Sequence, residues 1–425
     1  MSVLTDTVYI KKHSRLFSVL FVFVVFFAFC APALRSQEIT SIEVTGLKRT
    51  KPHIARYPLE KFLGREASTL DLNEVQAAVI NTSILEPLSV ELVESGDGMV
   101  LSVSVHEKWS LFPAPLVLAG SGEANFGLFL LDSNAFGLLD MAVLGGMYGT
   151  LGLMAVVMYN HTPNRKGLPG WNSFFMYGRQ NVTDTDRDEN VYRRYSTDQF
   201  RFSFGMNFPF AEYFSGSASV SFTNISLRNT DDILNPPESG AMHLGFSPGL
   251  SLRSSSWDGF LLSQRSLYLG YSYNLGLAGS SSWHQTEFRG VLEQPIVPGF
   301  RFNLRSAGVW KSDMDDGTAP LFEDGPGSAQ VDILPRKFSA RHYAGFSAGL
   351  EKYLLKINWG TLSALFSWQG VFSNGPISGF EFDHGPSGGI RFYLSRLALP
   401  ALGTGIAYNM SSKRFQFAFY IGMEF

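Results

Sequence analysis

The sequence predicts a transmembrane antiparallel β-barrel of about sixteen strands preceded by one small α+β domain. Three observations carry this fold class. The chain opens on an export segment, most of it alternates apolar and polar residues in segments of ~10, and its last segment places aromatic residues on one face up to Phe425.

The export segment is the first element. Lys11, Lys12 and Arg15 precede an apolar run from Leu16 to Ala31, and Ala31-Pro32-Ala33 offers a small-x-small cleavage site. The run is ~16 residues, short of the ~20 that a membrane-crossing helix needs. Residues 1–36 therefore read as a signal peptide. The single cysteine, Cys30, lies inside it, with Phe29 where a lipidation box needs a small residue. The mature chain thus has no disulfide framework, thiol nucleophile or thiolate metal site. A net charge of -3 gives no reason to invoke nucleic acid.

Hydrophobic residues make up 45% of the chain, yet no second apolar run reaches spanning length. A chain that crosses lipid without such runs must do so as a closed barrel, because every backbone N–H and C=O in the hydrocarbon layer needs a partner. The apolar residues must then alternate, and they do. Phe200, Phe202, Phe204, Met206 and Phe208 interleave with Gln199, Arg201, Ser203, Gly205 and Asn207. Leu267, Leu269, Tyr271, Tyr273 and Leu275 repeat the pattern, as do Phe300, Phe302 and Leu304 against Arg301, Asn303 and Arg305. Short turns such as Val297-Pro298-Gly299 and Lys356-Ile357-Asn358 alternate with long polar loops at 182–196, 227–242 and about 312–338. The barrel is assigned to residues 111–425.

Residues 38–109 differ in kind. Ile39, Ile42 and Val44 form a strand that closes on Gly46, and Pro52 and Pro58 predict a short or broken first helix ended by Gly64. Asp71 with Glu74 suggests a capping box for a second helix whose buried face is Leu72, Val75 and Val79. A hairpin around Ser95-Gly96-Asp97-Gly98 completes a strand, two helices and two strands.

The sequence carries no catalytic motif in a fitting context. Three G-x-S-x-G matches, around Ser247, Ser347 and Ser387, lie in alternating segments without the strand-turn-helix context of a nucleophile elbow. Asp184, Asp186 and Asp188 have calcium-loop spacing, but Glu189 and Tyr195 occupy the positions that need glycine and glutamate. The histidines form no metal-binding cluster, and no cofactor is implied.

With this order of domains, the chain resembles the BamA/TamA family of outer-membrane proteins, and residues 38–109 resemble one of its periplasmic POTRA domains. NFGLFLLDSNAFGLLD, with Asn134, Phe136 and Gly137, is similar to the family's second strand and its asparagine-containing turn. ARHYAGFSAGLEKYLL is similar to the strand after the long sixth loop, and Glu351 stands at an acidic position. The sixth-loop Arg-Gly-aromatic motif has its nearest match in Arg336, Lys337 and Phe338, with Lys337 in place of glycine. Trp368 stands in the strand where the family carries an aspartate. The resemblance implies that Arg336 folds into the lumen, where Glu351 is its partner. The last strand, with Phe415, Phe417, Phe419, Ile421, Met423 and Phe425 on one face, resembles the C-terminal β-signal of bacterial outer-membrane proteins.

The resemblance further implies a bacterial outer-membrane protein with its N-terminal domain in the periplasm, which assembles, inserts or translocates other proteins. The bilayer and nascent outer-membrane proteins are the expected partners, with periplasmic accessory lipoproteins or chaperones reached through the N-terminal domain. The mechanism the resemblance implies is a lateral opening between first and last strands. Pro113 and Pro115 in the first strand cannot donate ladder hydrogen bonds. They either weaken its seam with the last strand, where Leu118 and Ala418 are trial cross-linking positions, or merely end the domain linker. A two-partner-type secretion pore and a passive porin-like channel are the alternatives.

Overall fold

The computed structural model describes residues 37–96, 98–120, 123–162, 168–228, 232–258, 261–325, 331–335, 337–358, 360–375, 379–394 and 402–421. The export segment, Arg336, Met423 and Phe425 lie outside them.

The N-terminal domain follows the predicted order. Strand β1 (Ile39–Thr45) leads to helix α1 (Pro52–Arg56), a 3₁₀ segment (Tyr57–Phe62), helix α2 (Leu72–Ile80) and a hairpin of β2 (Leu85–Ser95) and β3 (Gly98–Glu107). The sheet order is β1-β3-β2, with β1 parallel to β3 and β2 antiparallel to it. The expected break in the first helix is the passage from α1 into 3₁₀ geometry around Pro58. Ile42, Leu59, Phe62, Val75, Val79, Leu101 and Val103 form the core that the helices cover.

Two details of α2 differ from expectation. Asp71 caps the helix by accepting the Asn73 N–H at 2.9 Å, but the Glu74 carboxylate turns outward to Lys61 and Arg65, both at 3.0 Å. Two cations outcompete one backbone donor, and the capping box is half formed. Leu72, in the first turn, is exposed; Ala78 takes its place on the buried face.

The barrel is a sixteen-stranded antiparallel sheet. Its first half comprises β4 (Leu111–Gly120), β5 (Glu123–Ala135), β6 (Asp140–Gly149), β7 (Gly152–His161), β8 (Gly170–Thr185), β9 (Val191–Pro209), β10 (Phe214–Arg228) and β11 (Ala241–Asp258). The second comprises β12 (Leu261–Leu277), β13 (Trp283–Val297), β14 (Phe300–Ser312), β15 (Tyr343–Ile357), β16 (Gly360–Asn374), β17 (Phe380–Leu394), β18 (Leu402–Asn409) and β19 (Arg414–Ile421). Each strand pairs with its sequence neighbour, so β4 and β19 are the two ends of the sheet. Among the described residues no helix is long and apolar enough to cross a membrane.

The alternation sorts side chains as predicted. Phe202, Phe204, Leu267, Leu269 and Tyr271 lie exposed on the outer face, whereas Thr197, Gln199, Arg301 and Asn303 are buried on the inner one. An apolar exterior around a polar interior is the reverse of a water-soluble barrel and matches a membrane-spanning one. We call the end where β3 enters β4 the near rim. Its turns at 136–139, 210–213 and 298–299 are short, whereas the longer connections after β10 and β14, described over 232–240, 313–325, 331–335 and 337–342, lie at the far rim.

The polar stretch 182–196 is not the long loop its composition predicts. β8 continues to Thr185 and β9 resumes at Val191, leaving a tight turn between them. Asp184 and Arg193 face each other across this ladder and form an ion pair at 3.1 Å. Their charges mark a wall that extends beyond the apolar band, where polarity no longer excludes a strand.

Candidate functional site

The two ends of the sheet define the first part of the site. Ser133 donates its N–H to the Ser110 carbonyl at 3.1 Å, just before the register that pairs Leu111 with Asp132. Hydrogen-bonded and non-hydrogen-bonded pairs alternate in an antiparallel ladder. Pro113 opposite Leu130 and Pro115 opposite Leu128 therefore occupy non-hydrogen-bonded positions toward β5. Their nitrogens face the open edge of β4. The prolines cost the β4–β5 ladder nothing and remove two donors from the seam. On the other side, β18 pairs with β17 over Ser387–Phe392, and β19 pairs with β18 over its whole described length, Leu402–Asn409 against Arg414–Ile421. Leu118 and Ala418 lie in β4 and β19 as expected, and Phe415 and Phe417 are exposed on the outer face.

The second part is a lock across the far end of the lumen. Arg187, in the turn between β8 and β9, reaches the opposite wall and donates to Asp383 Oδ2 at 2.8 Å and to the carbonyl and hydroxyl oxygens of Ser373, both at 3.0 Å. Its guanidinium also lies 5.1 Å from the ring centre of Phe338. Phe338 is fully buried against Leu334, Ala340, Val371 and Ala407, so loop 313–342 folds back into the barrel. The loop is tied to the β8 end, because Thr185 donates its N–H to the Lys337 carbonyl at 3.0 Å. Arg193 adds a bond to Glu323 at 2.8 Å, and buried Lys311 reaches Asp324 at 2.6 Å. The neighbouring Glu189 accepts from Gln416 of β19 at 2.8 Å. One turn thus grips loop 313–342, β17 and the last strand.

The wall carboxylate forms the third part. Glu351 is 1% exposed and accepts from Tyr393 at 2.7 Å, from Ser363 and from Arg301. Arg301 in turn meets Glu293 at 3.0 Å, and Glu293 meets Arg305. Burial of this many charges is tolerable only because each has a counter-charge and further hydrogen bonds. The carboxylate expected to meet Arg336 is thus held by arginines of the wall itself, while Arg336 falls outside the described residues. Trp368 is corrected as well. It lies on the outer face, and the lumen-facing residue of that strand is Gln369, which accepts the Asp332 N–H at 2.7 Å.

A fourth cluster binds the N-terminal domain to the near rim. The Glu107 carboxylate accepts backbone N–H groups of Lys48 at 2.7 Å and Arg49 at 3.0 Å, that of Thr50, and the Asn134 amide at 3.0 Å. Arg49 bridges Ser110 and Asp132, both at 2.8 Å. Gly137, at φ +73°, brings its turn so close that a Cβ would lie 2.1 Å from the Arg49 carbonyl oxygen. Burial pushes the Glu107 carboxyl up, but the row of backbone donors outweighs it and holds the group below the usual carboxylate range.

Asn134, Gly137, Phe338 and Glu351 were legible as motif positions, but their partners were not. Arg187 is the lone cation of the acidic run 184–190, a signal that composition buries. Asp186, in the calcium-like spacing, closes that turn by accepting the N–H groups of Asp188 and Asn190 at 2.9 Å. No group of metal-ligating side chains occurs among the described residues.

No family model matches the chain, and no curated protein matches it. Solved structures do. BamA from Haemophilus ducreyi lacking POTRA domains 1–3 aligns at a TM-score of 0.54 and 13% identity, over 91% of this chain and 84% of that one. CdiB from Escherichia coli aligns at 0.64 and 13% over 91% and 76%, and CdiB from Acinetobacter baumannii at 0.60 and 11% over 91% and 74%. At these identities the likeness concerns architecture: the chain has the outer-membrane β-barrel fold of BamA and CdiB.

Proposed function

We propose that this protein inserts or translocates other proteins at the outer membrane in the manner of the BamA/TamA family. The β4–β19 seam opens sideways and the exposed edge of β4 templates an incoming strand. The observation that carries this reading is the phase of Pro113 and Pro115, whose missing donors fall on the seam side of β4 alone. An edge with unpaired acceptors is a site for β-augmentation. The N-terminal β-α-α-β-β unit acts as a single POTRA domain on the periplasmic side, where short turns belong, and the far-rim loops face outward. Nascent outer-membrane proteins are the substrates, and accessory lipoproteins or chaperones reach the barrel through the domain.

The test is a seam lock. Leu118→Cys with Ala418→Cys, or a neighbouring pair that cross-links more efficiently, should abolish function on oxidation and restore it on reduction. Full activity of a demonstrably cross-linked barrel would overturn the reading. Depletion separates the alternatives: general loss of other barrels supports insertion, loss of one exported protein supports a two-partner-type secretion pore, and no change supports a passive channel.

A further inference from the structure

The inner wall of the barrel is divided into an apolar and a polar part. Across β6 to β8, Val143, Met158 and Phe174 share one rung of the ladder and Val156 and Met176 the next. Met147 and Met154 pair in a third. Leu131 and Phe129 extend the first two rungs into β5. At β9 each rung turns polar, at Ser203, Arg201 and Gln199. Leu128, Leu144 and Val157, one position along, are exposed on the outer face, so the sheet from β5 to β8 is apolar on both sides.

A lumen of this size is ordinarily polar, as it is here from β9 onward. The in-folded loop does not account for the exception. Its Leu334 and Phe338 pack against Val371 and Ala407, and its Leu321 against Ile225 and Ala241, all on strands of the polar part. The rung residues belong to neither cluster and, Met176 apart, stay half-buried. An apolar face left toward water marks a binding surface, and methionine adapts to partners of varied shape. Arg201, opposite Met176, stands at the edge of this face, and its Nε is buried with no hydrogen-bond partner among the described residues. A buried donor left unmade is costly, so the edge calls for an acceptor. Four strands ~4.8 Å apart make the face roughly 14 Å wide, a flat surface rather than a groove for one acyl chain. Its apolar side chains recur at every second residue. An extended polypeptide with the same alternation matches it, with its apolar side on β5 to β8 and its polar side toward the rest of the lumen.

Resting on the insertion reading above, we propose that the inner face of β5 to β8 holds one amphipathic extended segment of an incoming polypeptide inside the lumen, with Arg201 donating to an acidic group on it. The probe is a fluorescent peptide that alternates leucine with serine and carries one glutamate on its serine side. The full chain in phospholipid vesicles carries a benzophenone on Val156→Cys, inside, or on Val157→Cys, outside. Peptide adducts should form at position 156 and not at 157. Met154→Gln with Met158→Gln should weaken peptide binding by about tenfold, which corresponds to ~1.4 kcal/mol of lost apolar burial. Arg201→Gln should remove the preference for this peptide over one with glutamine in place of glutamate. Lipid adducts in place of peptide adducts at 156, equal binding of a scrambled peptide, or unchanged binding by the double methionine variant while heat-dependent gel mobility shows a folded barrel overturns the proposal. The two readings fail separately. A parent barrel that does not bind the peptide but whose seam lock abolishes function overturns this proposal alone. Peptide binding by a locked barrel of full activity overturns the seam reading alone.

Discussion

Replacing Arg187 by alanine tests the lumen lock. The side chain is nearly buried, and Asp383, its main partner, is 2% exposed. After the substitution Asp383 keeps one described partner, the Asn409 amide at 3.0 Å, and faces the lumen as an uncompensated charge. Breaking a buried pair in this way costs about 3–5 kcal/mol. The lost face of Phe338 adds about 1 kcal/mol. Surface-exposed Glu381, 3.3 Å from the guanidinium, contributes little. The double variant R187A/D383N removes the stranded charge with its partner and should recover about 1–3 kcal/mol of the loss. Denaturant unfolding of the detergent-solubilised barrel, followed by tryptophan emission, measures the free energies. Limited proteolysis of loop 313–342 reports whether Phe338 has left its pocket. An R187A barrel within about 0.5 kcal/mol of the parent, with an equally resistant loop, would refute the lock.

Three further outcomes are expected. Pro113→Ala with Pro115→Ala returns two donors to the seam edge and should stabilise the closed barrel by about 1 kcal/mol per bond formed; slower insertion of a test substrate checks it. Glu351→Ala strips Arg301 of one of its two carboxylates and should cost about 3 kcal/mol, read in the same unfolding assay, with Glu351→Gln milder because Tyr393 and Ser363 can still bond it. The Glu107 carboxyl is depressed in the folded state, so its contribution is complete above the unfolded value of ~4.3 and is lost as pH falls through the lower folded one. Proteolytic release of the N-terminal domain should therefore begin only below that value, and Glu107→Gln should remove the acid dependence.

Much of the architecture was legible because it rests on period and punctuation. The two-residue alternation of Phe200–Phe208 and Leu267–Leu275 fixed which faces meet lipid, and Gly46, Pro52, Pro58 and Asp71 marked the boundaries of the small domain. What failed was inference across the lumen. Nothing local distinguishes Arg187 from its acidic neighbours in DTDRDEN, and its partners lie 186 and 196 residues away. The stretch 182–196 misled for a related reason: hydropathy reports the solvent of a strand, and a barrel wall outside the membrane keeps its ladder while losing its apolar face. Trp368 and Gln369 show the cost of a one-residue offset, since adjacent strand positions point to opposite media.

The Glu107 cluster also has a mechanical meaning. It joins the end of β3, the segment 48–50 and the β5–β6 turn within a few residues of where β4 begins. The small domain and the first hairpin are consequently tied together by charged and backbone hydrogen bonds. A displacement of the small domain would therefore be felt first at β4, the strand whose free edge holds the two prolines, while the Arg187 contacts hold the far end.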